Sequence, residues 1–194
     1  MSEWSLHHRK GPLAPNPALW EALHRGPRLR AILEDFYDHV YEDPRLAPFF
    51  EGVTKERAVD KQWGFLAEIF SGQKLYFGDR PRNAHHWMVI SNELFDYRER
   101  LFERCLRTWG LTEEHVAAWL SVHQTFRKQI VKDAPFPRRM AGVEMPLDGW
   151  QRDTLAADAL CDGCQQPLSV GAAVTYHRRR GTTFCAGCTP AEAR

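Results

Sequence analysis

Four cysteines near the C-terminal end fall in two matched pairs, Cys161 with Cys164 and Cys185 with Cys188, in the spacing C-x2-C-x20-C-x2-C. Two thiolates on each of two tight turns can surround one ion tetrahedrally, and zinc favours that donor set without redox complication. Two other chemistries use the same residues: a redox dithiol pair, for which one C-x-x-C would be the usual sign, and iron held by four thiolates. His177 could replace one thiol as a ligand, although four cysteines do not need it. A second group of residues lies further up the chain. Residues 84–91 read AHHWMVIS, two adjacent histidines in an apolar octet. Histidine is the commonest side chain for holding a transition metal, and a neutral core histidine would satisfy the same pattern.

The chain around these residues has an ordinary composition. Its 194 residues are enough for one domain with its own core plus a small appendage. Hydrophobic residues make up 43% and charged residues 26%, unlike a disordered protein. With 26 Lys plus Arg against 25 Asp plus Glu, no global charge draws the protein to nucleic acid or to an anionic membrane. No apolar run approaches the roughly 18 residues of a membrane span. The start, MSEWSLHHRKGPLAPNP, has no apolar signal core, so neither membrane nor export is expected and the cytoplasm is the expected location. In a reducing compartment, crowding four of five cysteines into the last 34 residues favours a metal site over disulfides.

Periodicity then places the elements. Residues 1–16 form a loose leader carrying His7 and His8, and 17–132 read as helical. In PRLRAILEDFYDHVYEDP, Leu29, Ile32, Leu33, Phe36 and Val40 share one helical face, Pro27 suits the first turn and Asp43-Pro44 stops it. A second helix after Thr54 puts Ala58, Gln62, Phe65, Leu66 and Ile69 on one stripe, with Gln62 polar on an oily face. SGQKLYFGDRPRN reads as an irregular loop, and AHHWMVIS as a short helix. Ser91 caps a long helix with Leu94, Leu101, Phe102, Cys105 and Trp109 inward, ended by Gly110, and LTEEHVAAWLSVHQTFRKQIV makes the last one. Residues 133–160 read as a linker packed partly on the body through Phe136 and Trp150. The tail, 161–194, holds AAVTY, RRRG and TTF, the signature of a β-hairpin, and its basic RRRG reads as a solvated tip.

Order and spacing carry a resemblance. FYDHVYEDPRLAPFFEGV, then KQWGFLAEIFSG, then YFGDRPRNAHHWMVIS, then a helix beginning ELF resemble the truncated haemoglobins, most of all their group I, over about residues 17–131. The resemblance implies an all-α, two-over-two helical sandwich, followed by a small β-hairpin tail that is similar to a zinc ribbon. It implies a haem whose axial ligand is His85, six residues before Ser91 and nine after Tyr76. His86, turned about 100° away on a helix, is then expected to face solvent or a propionate. The distal pair is Tyr37 and Gln62, donors suited to the partial negative charge on an iron-bound gas. Phe50, from the Phe49-Phe50 pair, stacks on the haem. By the same resemblance Phe36, Ala58, Phe65, Leu66, Tyr76, Ile90, Leu94, Phe95 and Arg98 line the haem pocket with it. Neither CDGC nor CAGC is followed by His, so the haem is expected to be non-covalent, a haem b. His115 and His123 lack the family's spacing and are expected not to ligate.

Three departures from the family stand out. HRGP at 24–27 replaces the usual Gly-Gly between the first two helices. Ala58 provides no distal imidazole, which disfavours peroxide chemistry. Arg98 stands where the family has an apolar residue or tryptophan; it either snorkels to the surface, the expected outcome, or finds an acceptor such as a propionate or the distal ligand.

The expected function is reversible binding of dioxygen, with nitric oxide or carbon monoxide as further ligands, for oxygen transport or for nitric oxide detoxification. The latter needs a separate reductase, because no flavin or nicotinamide motif is present. One alternative is a gas or redox sensor that signals to a protein partner through the zinc-holding tail. Another is a non-haem helical protein that displays a zinc ribbon for contact.

Overall fold

The computed structural model describes residues 13–76, 78–137, 139–140, 143–156 and 158–194. His7 and His8 of the expected leader lie outside the described residues. The first helix, α1 (Pro17–Ala22), opens where the Asn16 side chain accepts a hydrogen bond from Leu19 N at 3.0 Å. It ends in a corner of three consecutive left-handed residues, His24 (φ 53°), Arg25 (φ 54°) and Gly26 (φ 128°). This corner is where the HRGP departure falls, and two of its residues carry side chains that resist such a backbone. Trp63 Nε1 donates to the Gly26 carbonyl at 3.1 Å and holds the corner closed.

Pro27 then starts α2 (Pro27–Glu42) in its first turn, and the helix stops at Asp43, before Pro44. A 3-10 turn over Ala47–Phe50 leads to α3 (Lys55–Ser71), capped by the Thr54 hydroxyl. The short α4 (Pro81–Ala84) lies earlier than expected. Pro81 has no N–H to lose and its fixed φ is already helical, so it nucleates the turn inside the stretch read as loop. AHHWMVIS contributes only Ala84. Ser91 Oγ caps α5 (Asn92–Thr108) by accepting from Leu94 N at 3.2 Å, and α6 (Glu113–Ile130) completes the helical body.

The chain divides into two compact units. The first comprises the described part of Met1–Ala47 with Thr54–Gly78 and Asp96–Thr125. Its core is the apolar face the periodicity outlined: Leu29, Ile32, Leu33, Phe36 and Val40 of α2 are fully buried. Leu66 and Phe70 of α3, Phe102 of α5 and Trp119 of α6 are fully buried as well. The rings of Phe36 and Phe102 lie 4.4 Å apart, and Trp119 lies 5.1 Å from Phe70 and 5.4 Å from Phe102. Burying each such side chain contributes about 1.5–3 kcal/mol. Ile69, expected on the same stripe, is half-buried.

The second unit comprises Pro48–Val53, Asp79–Phe95 and Phe126–Arg194. Much of the stretch read as linker is strand. β1 (Arg139–Met140) pairs antiparallel with β2 (Val143–Glu144). β3 (Trp150–Thr154) joins β6 (Ala173–His177) and β7 (Thr182–Phe184) in an antiparallel sheet of order β3-β6-β7. A second small hairpin, β4 (Ala159–Leu160) with β5 (Pro167–Leu168), encloses the first cysteine pair. Trp150 therefore belongs to the tail's own small core, its ring 4.5 Å from His177 and 5.9 Å from Phe184. Phe136 does anchor the connection, its backbone N donating to the His86 carbonyl at 2.9 Å. The expected hairpin is present as β6 and β7 around the basic turn. Among the described residues no helix is long and apolar enough to cross a membrane.

The α1–α2 corner yields a first prediction. An added Cβ at Gly26 would lie 3.1 Å from the Trp63 ring at a φ that side chains rarely adopt. Gly26→Ala should lower the unfolding free energy by about 1–3 kcal/mol, measured by denaturant titration.

Candidate functional site

His85 is the C-cap of α4, and its Nδ1 lies 2.8 Å from the Pro81 carbonyl oxygen one turn back. A carbonyl only accepts, so Nδ1 carries the proton and the lone pair sits on Nε2, the tautomer and orientation that second-shell bonding gives a metal-ligating imidazole. The segment after it is tied down from the C-terminal side. Lys132 Nζ donates to the His85 carbonyl at 2.7 Å, and Lys132 N donates to Ile90 O at 3.0 Å. Burial, then the charge of Arg82, holds the Lys132 amine below its ordinary value.

Of the two surroundings expected for His86, solvent is excluded. Only 1% of it is exposed, so it does not face solvent. The 100° rotation assumed a continuing helix, whereas the chain leaves the helix at His85 (φ −103°, ψ 11°) and turns the next ring inward. In the same unit Phe95 is buried beneath the Arg127 guanidinium, 4.9 Å from its ring. Phe50, Ile90 and Leu94 are half-buried.

In the first unit the structure brings the two distal candidates together, with the Tyr37 hydroxyl donating to Gln62 Oε1 at 2.7 Å. Burial pushes the Tyr37 phenol up to about 12, against a smaller opposing effect of the Arg98 charge, so it remains a donor. Accepting through Oε1 leaves the Gln62 amide group to point its N–H donors elsewhere. Ala58 and Leu66 are buried and Phe65 is half-buried, with its ring 5.4 Å edge-on to Tyr76. The Glu68 carboxylate fixes that loop by accepting from Leu75 N (3.2 Å) and Tyr76 N (3.0 Å). Phe36 packs into the core against Phe102 and Tyr37.

Arg98 does not snorkel. Its guanidinium lies 4.9 Å from both the Phe36 and Phe102 rings, and Nη1 meets Glu99 Oε1 at 2.6 Å. Its acceptor is thus an internal carboxylate of the same helix. Glu99 also receives His123 Nδ1 at 3.1 Å, while Trp119 Nε1 donates to His123 Nε2 at 3.2 Å. An indole N–H can only donate, so His123 Nε2 is the acceptor and Nδ1 holds the proton. Arg98 Nη1, 3.1 Å from that nitrogen, is therefore a second donor converging on Glu99 rather than a partner of the ring. Burial, then Arg98, holds the imidazole below its ordinary value and keeps it neutral. Burial alone would raise the Glu99 carboxyl; the His123 ring and the Arg98 guanidinium outweigh it and bring it down to about 2. The partners Glu99 and His123 were not read from the sequence. The available sign was an Arg-Glu pair on an inward stripe, with a histidine on the one remaining helix able to face it.

The four tail cysteines also come together, their sulfurs all within 4.8 Å of one another. Tetrahedral zinc with Zn–S near 2.3 Å needs sulfurs roughly 3.8 Å apart, within reach of small rotamer changes. Cys161 Sγ is buried and accepts the amides of Gly163 and Cys185 at 3.4 Å each. The knuckles approach so closely that a Cβ on Gly163 would lie 2.7 Å from Cys188 Cβ. His177 packs on Trp150 with Nε2 3.5 Å from Asp148 and is not in this cluster. Asp35, His39 and Cys105 form another grouping. There Asp35 accepts from Trp109 Nε1 at 3.0 Å, and burial followed by the Asp35 charge raises the Cys105 thiol to about 11. That thiol is set to donate a hydrogen bond.

A family model for bacterial-like globins matches residues 18–132. The group 1 truncated haemoglobin of Tetrahymena thermophila is 25% identical over 112 residues, 58% of this chain and 93% of that protein. The group 1 truncated haemoglobin GlbN of Synechocystis is 28% identical over 103 residues, 51% of this chain and 83% of the relative. The crystal structure of truncated haemoglobin from Tetrahymena pyriformis in its Fe(III) form matches with a TM-score of 0.55 at 24% identity, over 59% of this chain and 98% of that one, a likeness of fold. The cysteine tail lies beyond the matched residues.

The buried cluster makes stability sensitive to acid. Below 6.5 the unfolded chain takes up a proton that folded His123 resists, and from 4.5 down to about 2 the unfolded chain protonates a carboxyl that folded Glu99 keeps ionised. Both effects weaken the fold as pH falls. Glu99→Gln should cost about 1–3 kcal/mol near neutrality, discounted because Arg98 retains some solvent contact. It should also flatten the loss between pH 4.5 and about 2, as read from denaturant melts across that range.

Proposed function

The chain belongs to the bacterial-like globin family, and on that premise we propose that it binds dioxygen reversibly at a b-type haem whose axial ligand is His85. The helical body has the truncated-globin fold of six helices, followed by a small strand region with the cysteine cluster. The observation that carries the axial assignment is the 2.8 Å contact from His85 Nδ1 to the Pro81 carbonyl. It leaves Nε2 as the donor atom and fixes the ring against rotation, as a metal-binding imidazole requires. Bound there, a ferrous porphyrin supplies the coordination position at which a diatomic gas is held.

The remaining side chains have separable tasks. The Tyr37 hydroxyl, its proton kept at physiological pH by the raised phenol, donates to Gln62 Oε1 and so frees the Gln62 amide N–H donors for the electron-rich outer atom of the gas. Phe65 and Leu66 in the first unit, and Phe50, Ile90, Leu94 and Phe95 in the second, each supply apolar surface of the kind that excludes water from a haem. Tyr76 packs against Phe65 and steadies that wall. Ala58 adds space and no base, which suits gas binding over peroxide cleavage. Arg98 holds a positive charge close enough to act on Tyr37 while its own partner is Glu99. Nitric oxide and carbon monoxide fit the same position. Nitric oxide dioxygenation by this chain would draw its electron from a reductase partner.

The tail is assigned one zinc ion on Cys161, Cys164, Cys185 and Cys188. Two amide donors on Cys161 Sγ stabilise a thiolate there, and two matched pairs favour closed tetrahedral coordination over a redox dithiol. A module with so little core takes much of its folding energy from the ion.

Haem reconstitution tests the first assignment. Wild type should give a Soret band; His85→Ala should lose it, or lose its imidazole-ligated character, while His86→Ala keeps both. The reverse pattern would assign the wrong ring. Tyr37→Phe with Gln62→Ala should raise the dioxygen off-rate about 10- to 100-fold, the worth of hydrogen bonds to a charged acceptor, in stopped-flow displacement. For the tail, elemental analysis should find one zinc per chain, and Gly163→Ala should lower that occupancy by forcing the two knuckles apart.

A further inference from the structure

The hairpin that delivers the second cysteine pair has a turn, Arg178–Arg180 and Gly181, that reaches the segments on either side of the axial-ligand assignment. The Arg179 guanidinium stacks over the Trp87 ring, 4.7 Å from its centroid, and pairs with Glu51 Oε2 at 3.1 Å. Trp87 lies two residues after His85, and Glu51 directly follows Phe50. Trp87 in turn rests against Phe49 at 6.2 Å. The neighbouring Arg180 side chain lies so close to Gly52 that an added Cβ there would sit 2.5 Å from Arg180 Nε. Asp148 steadies the turn from behind, 3.7 Å from Arg179 Nη1 and 3.5 Å from His177 Nε2. All these residues fall within one compact unit.

The turn is connected to the cysteines by short, hydrogen-bonded chain. β7 runs from Thr182 to Phe184 and enters Cys185 directly. The first knuckle is stitched to β7, with Asp162 N donating to Thr183 O at 2.8 Å and Thr183 N donating to Asp162 Oδ2 at 2.6 Å. An ion that gathers the four sulfurs therefore orders β7, and an ordered β7 holds the turn in place.

We propose that Arg179 is a positioning residue for the His85 segment, so that the ion bound by the tail cysteines sets how firmly that imidazole is presented. Arg179 touches neither the haem iron nor the gas; it acts by clamping Trp87 and Glu51 together. The inference rests on His85 being the axial ligand and deepens that reading.

The test uses the full-length chain, zinc-loaded or treated with a chelator, in wild type, Arg179→Met and Arg179→Lys. Methionine keeps much of the apolar stem and removes the charge; lysine restores charge without the planar guanidinium. The first readout needs no haem: amide hydrogen exchange across residues 85–90 of the haem-free protein. Arg179→Met should raise it three- to tenfold with zinc still bound, the scale set by one cation–π contact and one exposed ion pair. Chelation should do the same to wild type and add little to Arg179→Met, and Arg179→Lys should recover part of the protection. The second readout is haem release to a scavenger, together with the iron–histidine stretching band of the ferrous protein. Arg179→Met should speed release by a similar factor and shift the band. Wild-type exchange and wild-type release in Arg179→Met would overturn the proposal, as would chelation acting equally on both. Failure of every variant to take up haem would instead sink the axial assignment, while the exchange arm still decides whether the clamp exists.

Discussion

A carbonyl oxygen can only accept a hydrogen bond, so the Pro81 carbonyl at 2.8 Å commits the His85 ring to one tautomer and one orientation before any ligand arrives. That constraint has a local origin. Pro81 starts a helix of a single turn, and the ring that needs orienting is the residue at which the turn ends. A longer helix would have carried the next residue around its surface; stopping here sends His86 inward instead. The backbone beyond is then held from the other side by Lys132 and Phe136, so a segment with little regular structure has fixed carbonyls at both of its histidines.

The interior charge cluster shows the same economy of partners. Arg98, Glu99 and His123 place a cation, an anion and a neutral ring in one region, and Trp119 decides which nitrogen of the ring carries the proton. Arg98 Nη1 and the His123 Nδ1 proton both meet the Glu99 carboxylate and the formal charges cancel, which is the condition under which enclosed ions are tolerable. An apolar residue at position 98 would need neither Glu99 nor a neutral histidine. The three form one charge-balanced unit spread over two helices.

Helices were legible in the sequence wherever a strong apolar period coincided with a start or stop residue, as in α2 between Pro27 and Asp43-Pro44. Gln62 stands out in the sequence as polar on an oily stripe, and the structure gives it a partner in the Tyr37 hydroxyl. The cysteine cluster was legible from spacing alone. What could not be read depended on contacts distant in sequence. Arg98 looked like a snorkelling stem because nothing in its own helix pattern announces that His123 will face Glu99. β3 looked like linker because WQRDT has little apolar alternation; its strand character comes from pairing with β6 some twenty residues later. His86 is buried rather than turned to solvent because the helix ends at His85 and its rotation does not carry on to the next residue.

The fifth cysteine has a consequence of a different kind. Cys105 is almost wholly enclosed, and its thiol is held at about 11 by burial and the neighbouring Asp35 carboxylate. At physiological pH it is starved of the thiolate that alkylating reagents and peroxides attack. The globin body is in effect silent to sulfur chemistry, so oxidants and thiol-directed dyes would report on the tail alone.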